Sequence, residues 1–320
     1  MSGYTAIDLF CGCGGLTQGL KDSGINVLCG IDVWDKAIET YRKNHKHIGL
    51  CEDLTKLDPE FVADMIETRH VDIIAGGPPC QAYSIAGKRD KNDPRSSLFL
   101  EYIRFVKFFQ PKLVIMENVV GLLSVKTANG EKVIDIIVDE FKKIGYVVEY
   151  KVLHAAEFRV PQMRRRVIFY GKPENSRMIL SHPEPILQKE EFVPVKKILQ
   201  DRTSIPLSYF LSLKALDGIK SKKERMKEKG NGFGAQFLDF NRPCYTITAR
   251  YYKDGYDALV KYDDTNVRRL TEREAASVQT FPETFEFVGN KKETYMQIGN
   301  AVPCLLGYYI GLHAIKMLSY

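Results

Sequence analysis

Residues 73–84 read IIAGGPPCQAYS: an apolar run, two glycines, two prolines and then one cysteine, Cys80. Proline fixes its own φ and restricts the residue before it, so a stiff main chain presents this thiol and aims it at one point. A cysteine that only fills a core needs no such placement. Glu117 follows 37 residues later in MENV, at the end of another apolar run. A thiol and a carboxylic acid at one rim suit nucleophilic addition to a ring that must be protonated as it is attacked. A free thiol ionises near pH ~8.5, so the site must favour the thiolate. PQMRRRV supplies cations in Arg164 and Arg166, two apart and so on one side of an extended strand. A solvated edge strand or an ordinary ion pair is the alternative reading of those arginines.

Such a reaction needs an electrophile, and the N-terminal residues offer a place to bind one. DLFCGCGGL sets Gly12, Gly14 and Gly15 between a strand and a helix. Glycines let a ligand approach the backbone, and the helix start offers free amides. Asp32 closes the second strand, where it could accept from ribose hydroxyls, and Asp53 ends a short extended segment in CEDL. The spacing is not the G-x-G-x-x-G of dinucleotide folds, and no basic residue stands beside the turn to favour a pyrophosphate. A nucleoside with a short amino-acid arm, such as S-adenosylmethionine, fits as well or better; a turn shaped by glycine for its own sake is the alternative. Cytosine matches the ring chemistry. Its carbon 5 is too weak a nucleophile to take a methyl group unaided, whereas a thiolate on carbon 6 and an acid near nitrogen 3 make methyl transfer from a sulfonium feasible.

The elements that must position these residues alternate strand and helix. YTAIDLF, NVLCGID, VDIIAGG and KLVIME read as buried strands; Leu16 to Lys21, DKAIETYRKNH, SLFLEYIRFVKFF and KVIDIIVDEFKKIG read as helices. YVVEYKVLHA and RVIFYG read as two further strands joined by a polar turn. The pattern predicts an α/β fold with a doubly wound, mostly parallel sheet, whose ligands bind at the carboxyl ends of the strands. Phe10 to Gly15, Asp32, Gly76 to Cys80 and Glu117 to Val119 all fall there. Beyond Lys172, prolines at 173, 183, 185, 194 and 206 break the alternation. The expected division is a first domain over 1–178, completed by 293–320, and a smaller one over 179–292.

Composition narrows the class. The net charge is +6, and residues 172–269 hold 19 Lys and Arg against 13 Asp and Glu, while the remainder balances at 27 of each sign. A basic excess confined to one segment, densest in KSKKERMKEK, suits a polyanion surface or a solvated basic helix face. Seven cysteines with no CxxC pair argue against a disulfide scaffold or a structural zinc. HKH at His45 to His47 reads as a solvated helix end rather than a metal site. The opening residues lack a basic segment before an apolar core, and no run approaches the roughly 18 apolar residues of a membrane span; a soluble intracellular protein is expected.

In order along the chain, DLFCGCGG, GGPPCQAYS, ENV, QMRRR, RRLTEREAASVQTFP and IGNAVP together resemble the motifs of the DNA (cytosine-5) methyltransferases, over nearly the whole length. The resemblance implies a Rossmann-like S-adenosylmethionine-dependent methyltransferase fold with a target-recognition domain. It implies that Cys80 attacks carbon 6, that Glu117 contacts the ring nitrogen and exocyclic amine, and that Arg166 holds the base's carbonyl oxygen while Arg164 supports the thiol and its loop. For the cofactor it implies Phe10 on the adenine, Gly12, Gly14 and Gly15 along the methionine arm, Asp32 at the ribose and Asp53 at the adenine amine, with Val33 and Leu54 also among the cofactor-binding residues. Pro79, Leu98, Asn300 and Val302 complete that pocket. Gln81 and Ser84 lie in the loop that closes over an extruded base, Thr246 in YTITA meets the backbone beside it, and Lys222 and Arg225 grip phosphates.

No metal is implied. The implied partner is double-stranded DNA, with a cognate restriction endonuclease as a functional counterpart and a monomeric enzyme. Cys11 and Cys13, at variable positions of the first motif, hint at sensitivity to oxidation. The rivals are a transfer-RNA cytosine-5 methyltransferase, whose usual Cys-Phe-Thr is missing here, a catalytically inactive DNA-binding relative, and, more distantly, a dehydrogenase.

Overall fold

The computed structural model describes residues 3–79, 98–127, 129–228, 235–254 and 256–319, with backbone alone at 220, 222–228 and 254. Two compact units result: Met1–His154, Arg165–Glu184 and Leu306–Tyr320 form one, Ala155–Arg164 and Pro185–Leu305 the other.

In the first unit, β1 (Thr5–Leu9), α1 (Gly15–Asp22), β2 (Asn26–Asp32), α2 (Asp35–Asn44), β3 (Ile48–Cys51), α3 (Pro59–Met65), β4 (Ile73–Gly76), α4 (Leu98–Phe109) and β5 (Leu113–Val119) alternate, all but β3 and α3 as the apolar runs predict. After α5 (Val133–Lys143) come β6 (Tyr146–His154) and β7 (Arg165–Pro173). The seven strands lie in the order β3-β2-β1-β4-β5-β7-β6, with β7 antiparallel to both its neighbours and the other pairs parallel. Strand order reverses between β1 and β4, so the crevice of such a sheet opens at the ends of those two strands. The turn after Leu9 and the segment 77–79 after Gly76 meet there, and Gly77 N donates to Leu9 O at 3.3 Å.

Alternation along the strands sorts two faces. Ile7, Leu9, Ile31, Ile74, Val114 and Met116 share one buried core with Val62, Phe99, Tyr102, Phe105 and Phe141 of α3, α4 and α5. Tyr102 Oη ties that layer to the sheet, donating to the carbonyls of Ile74 and Ile115 at 2.9 and 3.0 Å. Sequence reading passed over β3 and α3 because both are short. The signal for α3 was present: Pro59 at its first turn and Asp58 accepting from Glu60 N at 3.0 Å.

The second unit has little sheet. Its elements are α6 (Leu213–Glu228), α7 (Tyr251–Asp254), the hairpin β8 (Leu259–Lys261) and β9 (Val267–Arg269), α8 (Glu272–Val278), α9 (Lys291–Asn300) and the start of α10 (Cys304–Leu318). A small core gathers Leu216, Ile219, Ala235, Leu259 and Val267. Thr271 with Glu274, and Asn290 with Glu293, close capping boxes on α8 and α9. The fully buried Arg268 and Glu274 form a two-pronged pair at 2.7 and 2.8 Å, and Glu274 also accepts from Gln200 N and Thr271 N.

The units differ from the expected 1–178 with 293–320 and 179–292: residues 179–184 fall in the first unit, and 155–164 and 293–305 in the second. Residues 155–164, expected as a polar turn between β6 and β7, carry buried Ala155, Ala156, Phe158 and Val160 and pair with residues near Cys244. The apolar content of that link is what takes it into the second unit. By length and composition one described segment, Lys291–Leu318, could cross a membrane, although it consists of two helices and half of its most apolar window is buried in the protein.

Candidate active site

Leu9 ends β1, and the chain then turns sharply. Phe10 has φ 58°, a left-handed conformation uncommon for an aromatic residue. Gly14, φ 93°, caps the start of α1. A Cβ there would strike the rings of His45 and Tyr41, so the position requires glycine for shape and space alike. Beside Gly12 a Cβ would meet nothing within 4 Å, which leaves room against this main chain.

Asp32, at the end of β2, fixes the turn. Its two oxygens accept from Gly12 N and Trp34 N, both at 2.9 Å, and burial raises its pKa against the lowering effect of those bonds. Each carboxylate oxygen keeps a further lone pair, so the group can also accept from a ligand hydroxyl. Close main-chain room, a helix start and a half-buried acid fit a nucleoside with an amino-acid arm. Beneath the turn Asp8 accepts from Thr17 Oγ1 at 2.6 Å, and burial pushes its carboxyl up to about 7.

Asp53 uses Oδ1 in a local turn, accepting from Thr55 N and Thr55 Oγ1 at 3.0 and 2.8 Å, which lowers its pKa. Val33 is 69% exposed while Leu54 is buried, so only Val33 offers its side chain to solvent or a ligand. Leu98 and Pro79 are half-buried.

Around Glu117 the geometry is tightest. Arg166 Nε lies 2.6 Å from Glu117 Oε1, with both side chains 13% exposed. Register explains the meeting: Glu117 stands opposite Ile168 and Val119 opposite Arg166, so Glu117 and Arg166 are diagonal neighbours on one face of the antiparallel β5–β7 pair. Next to Glu117, Asn118 donates from Nδ2 to Pro78 O at 3.0 Å and accepts from Val119 N at 2.9 Å. That bond pins the segment entering Cys80 to the strand that carries Glu117. Sequence reading placed Asn118 at the strand end within ENV but gave it no role; the only signal was a polar amide beside the acid. Cys80, Gln81 and Ser84 lie outside the described residues, and Lys222 and Arg225 fall on α6 where only the backbone is described.

Arg164 does not share the environment of Arg166. It is 1% exposed and donates to the carbonyls of Ile247, Gly299 and Ala301 at 2.9, 3.1 and 3.0 Å, all within the second unit. The expected support of the Cys80 thiol and its loop falls outside the described residues; within them the guanidinium holds these three main-chain carbonyls. Thr246 Oγ1 donates to Met163 O at 2.9 Å, Asn300 is exposed at the end of α9, and Val302 is buried just beyond.

Two further expectations change. His45 is buried, not solvated: its ring stacks on His47 at 5.2 Å, and Tyr41 Oη meets His47 Nε2 at 2.6 Å. Burial lowers the two imidazoles to about 3 and about 4. Cys11 and Cys13 are buried and their thiols are pushed well up, chiefly by burial, which disfavours the thiolate that oxidation needs. Among the described residues no group of three His, Cys, Asp or Glu is placed to hold a metal ion.

A doubly wound sheet with a glycine turn and an acid after its first two strands suits a nucleoside ligand, and an Arg-held glutamate stands near the end of β5. Comparison with known proteins narrows this. The family model described as C-5 cytosine-specific DNA methylase matches residues 4–316, and the chain belongs to that family. It is 33% identical to the Type II methyltransferase M.DdeI of Desulfomicrobium norvegicum, over 94% of this chain and 86% of that protein. It is 35% identical to the Type II methyltransferase M1.HphI of Haemophilus parahaemolyticus, over 98% and 87%. The structure of the S. pombe Dnmt2 methyltransferase shares the fold, with TM-score 0.74 and 21% identity over 99% of this chain and 100% of that one. The protein is a DNA cytosine-5 methyltransferase.

Proposed function

We propose that the enzyme methylates carbon 5 of a cytosine extruded from double-stranded DNA, through a covalent bond from Cys80 to carbon 6. The observation that carries this reading is the Glu117–Arg166 pair at 2.6 Å beside the Asn118-pinned segment that leads into Cys80. The Cys80 thiolate adds to carbon 6 while Glu117, oriented by Arg166, hydrogen-bonds nitrogen 3 and stabilises the charge that reaches it. Bound S-adenosylmethionine supplies the electrophilic methyl group for carbon 5. A water molecule acting as base takes the carbon 5 proton, the carbon 5–carbon 6 double bond re-forms, and the thiolate of Cys80 is expelled. Attack on the ring face requires an unstacked base, hence extrusion.

Phe10, Gly12, Gly14, Gly15, Asp32, Val33, Asp53, Leu54, Pro79, Leu98, Asn300 and Val302 are the cofactor residues in this reading. Gln81, Ser84, Thr246, Lys222 and Arg225 meet DNA. The second unit, which carries most of the basic segment, is the target-recognition domain. The Type II names of the relatives support membership of a restriction-modification pair, with a cognate endonuclease as counterpart; a monomeric intracellular enzyme without a metal completes the reading.

Transfer of labelled methyl groups to matched duplex DNA and transfer RNA tests the substrate. Label is expected in the duplex, with bisulfite sequencing placing it at one sequence context. Label confined to RNA overturns the reading.

A further inference from the structure

Three residues of the PQMRRR segment hold the Thr246 segment by its main chain and hydroxyl. Ile247 N donates to Gln162 Oε1 at 3.1 Å, Arg164 donates to Ile247 O at 2.9 Å, and Thr246 Oγ1 donates to Met163 O at 2.9 Å. The other sides of Gln162 and Arg164 face the IGNAVP segment. Arg164 reaches the carbonyls on both sides of Asn300, those of Gly299 and Ala301, at 3.1 and 3.0 Å. Gln162 Nε2 donates to Gln279 Oε1 at 2.8 Å, and Gln279 Nε2 donates to Ile298 O and Ala301 O at 2.6 and 3.1 Å. The result is a closed ring of hydrogen bonds running from Ile247 to Ala301 and back.

The ring has one polarity. The Gln279 amide faces two carbonyls and must turn its NH2 to them, so its oxygen faces Gln162. Gln162 must then donate, which leaves its own oxygen for Ile247 N. Gln162 and Gln279 are 0% exposed, so flipping either amide strands buried groups. The two segments also touch directly: the place of a Cβ on Gly299 is occupied by the backbone of Thr248 and Ala249. Neither segment can shift alone without breaking buried bonds.

We infer that Gln162 and Arg164 are positioning residues that lock the DNA-contacting segment at Thr246 to the cofactor-contacting segment at Asn300 and Val302, so that the two ligands bind with positive linkage. This rests on the roles given to those segments under Proposed function. A ligand that holds one segment in its bound arrangement removes that cost for the other, and the linkage is reciprocal.

The test is the affinity for the methylated target duplex with and without S-adenosylhomocysteine, in the wild type and in Gln162→Leu and Arg164→Lys. Leucine keeps the shape without the amide; lysine keeps the charge without the fork that spans three carbonyls. The wild type is expected to bind duplex about fivefold or more tightly with S-adenosylhomocysteine present, and both variants to bring that ratio close to one. Hydrogen exchange on the wild type needs no variant: S-adenosylhomocysteine added without DNA is expected to slow exchange over 244–249. Wild-type protein that binds both ligands, with an undiminished ratio in both variants or with no added protection over 244–249, overturns the inference alone. Wild-type protein that binds neither ligand overturns the functional reading and the inference with it.

Discussion

Glu117 and Arg166 face each other as diagonal partners across β5 and β7, Oε1 to Nε at 2.6 Å. The antiparallel strand β7 beside β5 brings these two side chains to the same point of the same face. The chemistry of the acid thus depends on where β7 sits in the sheet.

Removing the arginine should leave the fold and remove the orientation. Arg166→Ala is expected to lower kcat by about 100-fold or more, with the far-ultraviolet spectrum unchanged. Arg166→Lys should recover part of the loss, since one ammonium can still meet Oε1. Activity within twofold of wild type in Arg166→Ala contradicts the role.

Asp32 holds Gly12 N and Trp34 N while retaining lone pairs for a ligand. Asp32→Ala should weaken S-adenosylhomocysteine binding by roughly 10- to 100-fold, the loss of one to two charge-assisted hydrogen bonds, measured by calorimetry. Unchanged cofactor affinity would place the ribose elsewhere.

The buried imidazole of His45 and the half-buried one of His47 predict a pH dependence of stability. Their folded values, about 3 and about 4, lie below the ordinary 6.5. The unfolded chain therefore binds protons that the native state refuses, and stability falls as pH drops below about 6.5 toward 4. Lys21 lies near both rings and opposes their charging. Asp8 has the opposite sign: with its value raised to about 7, it lowers stability as pH rises from about 4 to 7. Urea melts of His47→Gln and Asp8→Asn against wild type should show these two slopes flattened separately.

Arg268 and Glu274 form a fully buried pair within the second unit. Glu274→Ala leaves a buried guanidinium unpaired and removes the acceptor for Gln200 N and Thr271 N, so the expected loss is about 3–5 kcal/mol. A loss under 1 kcal/mol in equilibrium unfolding contradicts the pairing.

Much of the first unit was legible because its code is local. Apolar runs of strand length, separated by helices with one broad apolar face, name their own elements, and the glycine turn and Pro-Pro-Cys mark where the strands end. What escaped was non-local. Arg164 and Arg166 look equivalent in sequence, yet one is buried among carbonyls of the second unit and the other meets Glu117, because the chain changes unit between residues 164 and 165. Gln162 stood in a motif without a role, since its partners Ile247 and Gln279 lie 85 and 117 residues away. His45 was read as solvated because its burial under Gly14 depends on a glycine in another element.

The most direct test is covalent. Duplex DNA with 5-fluorocytosine at the target position has no carbon 5 proton to lose, so the bond from Cys80 to carbon 6 should persist. With S-adenosylmethionine present, the wild-type protein is expected to form a denaturant-resistant complex whose cross-linked peptide contains Cys80, and Cys80→Ser is expected to form none. A Cys80→Ser variant that methylates at the wild-type rate, or a cross-link mapped to another residue, would contradict the account.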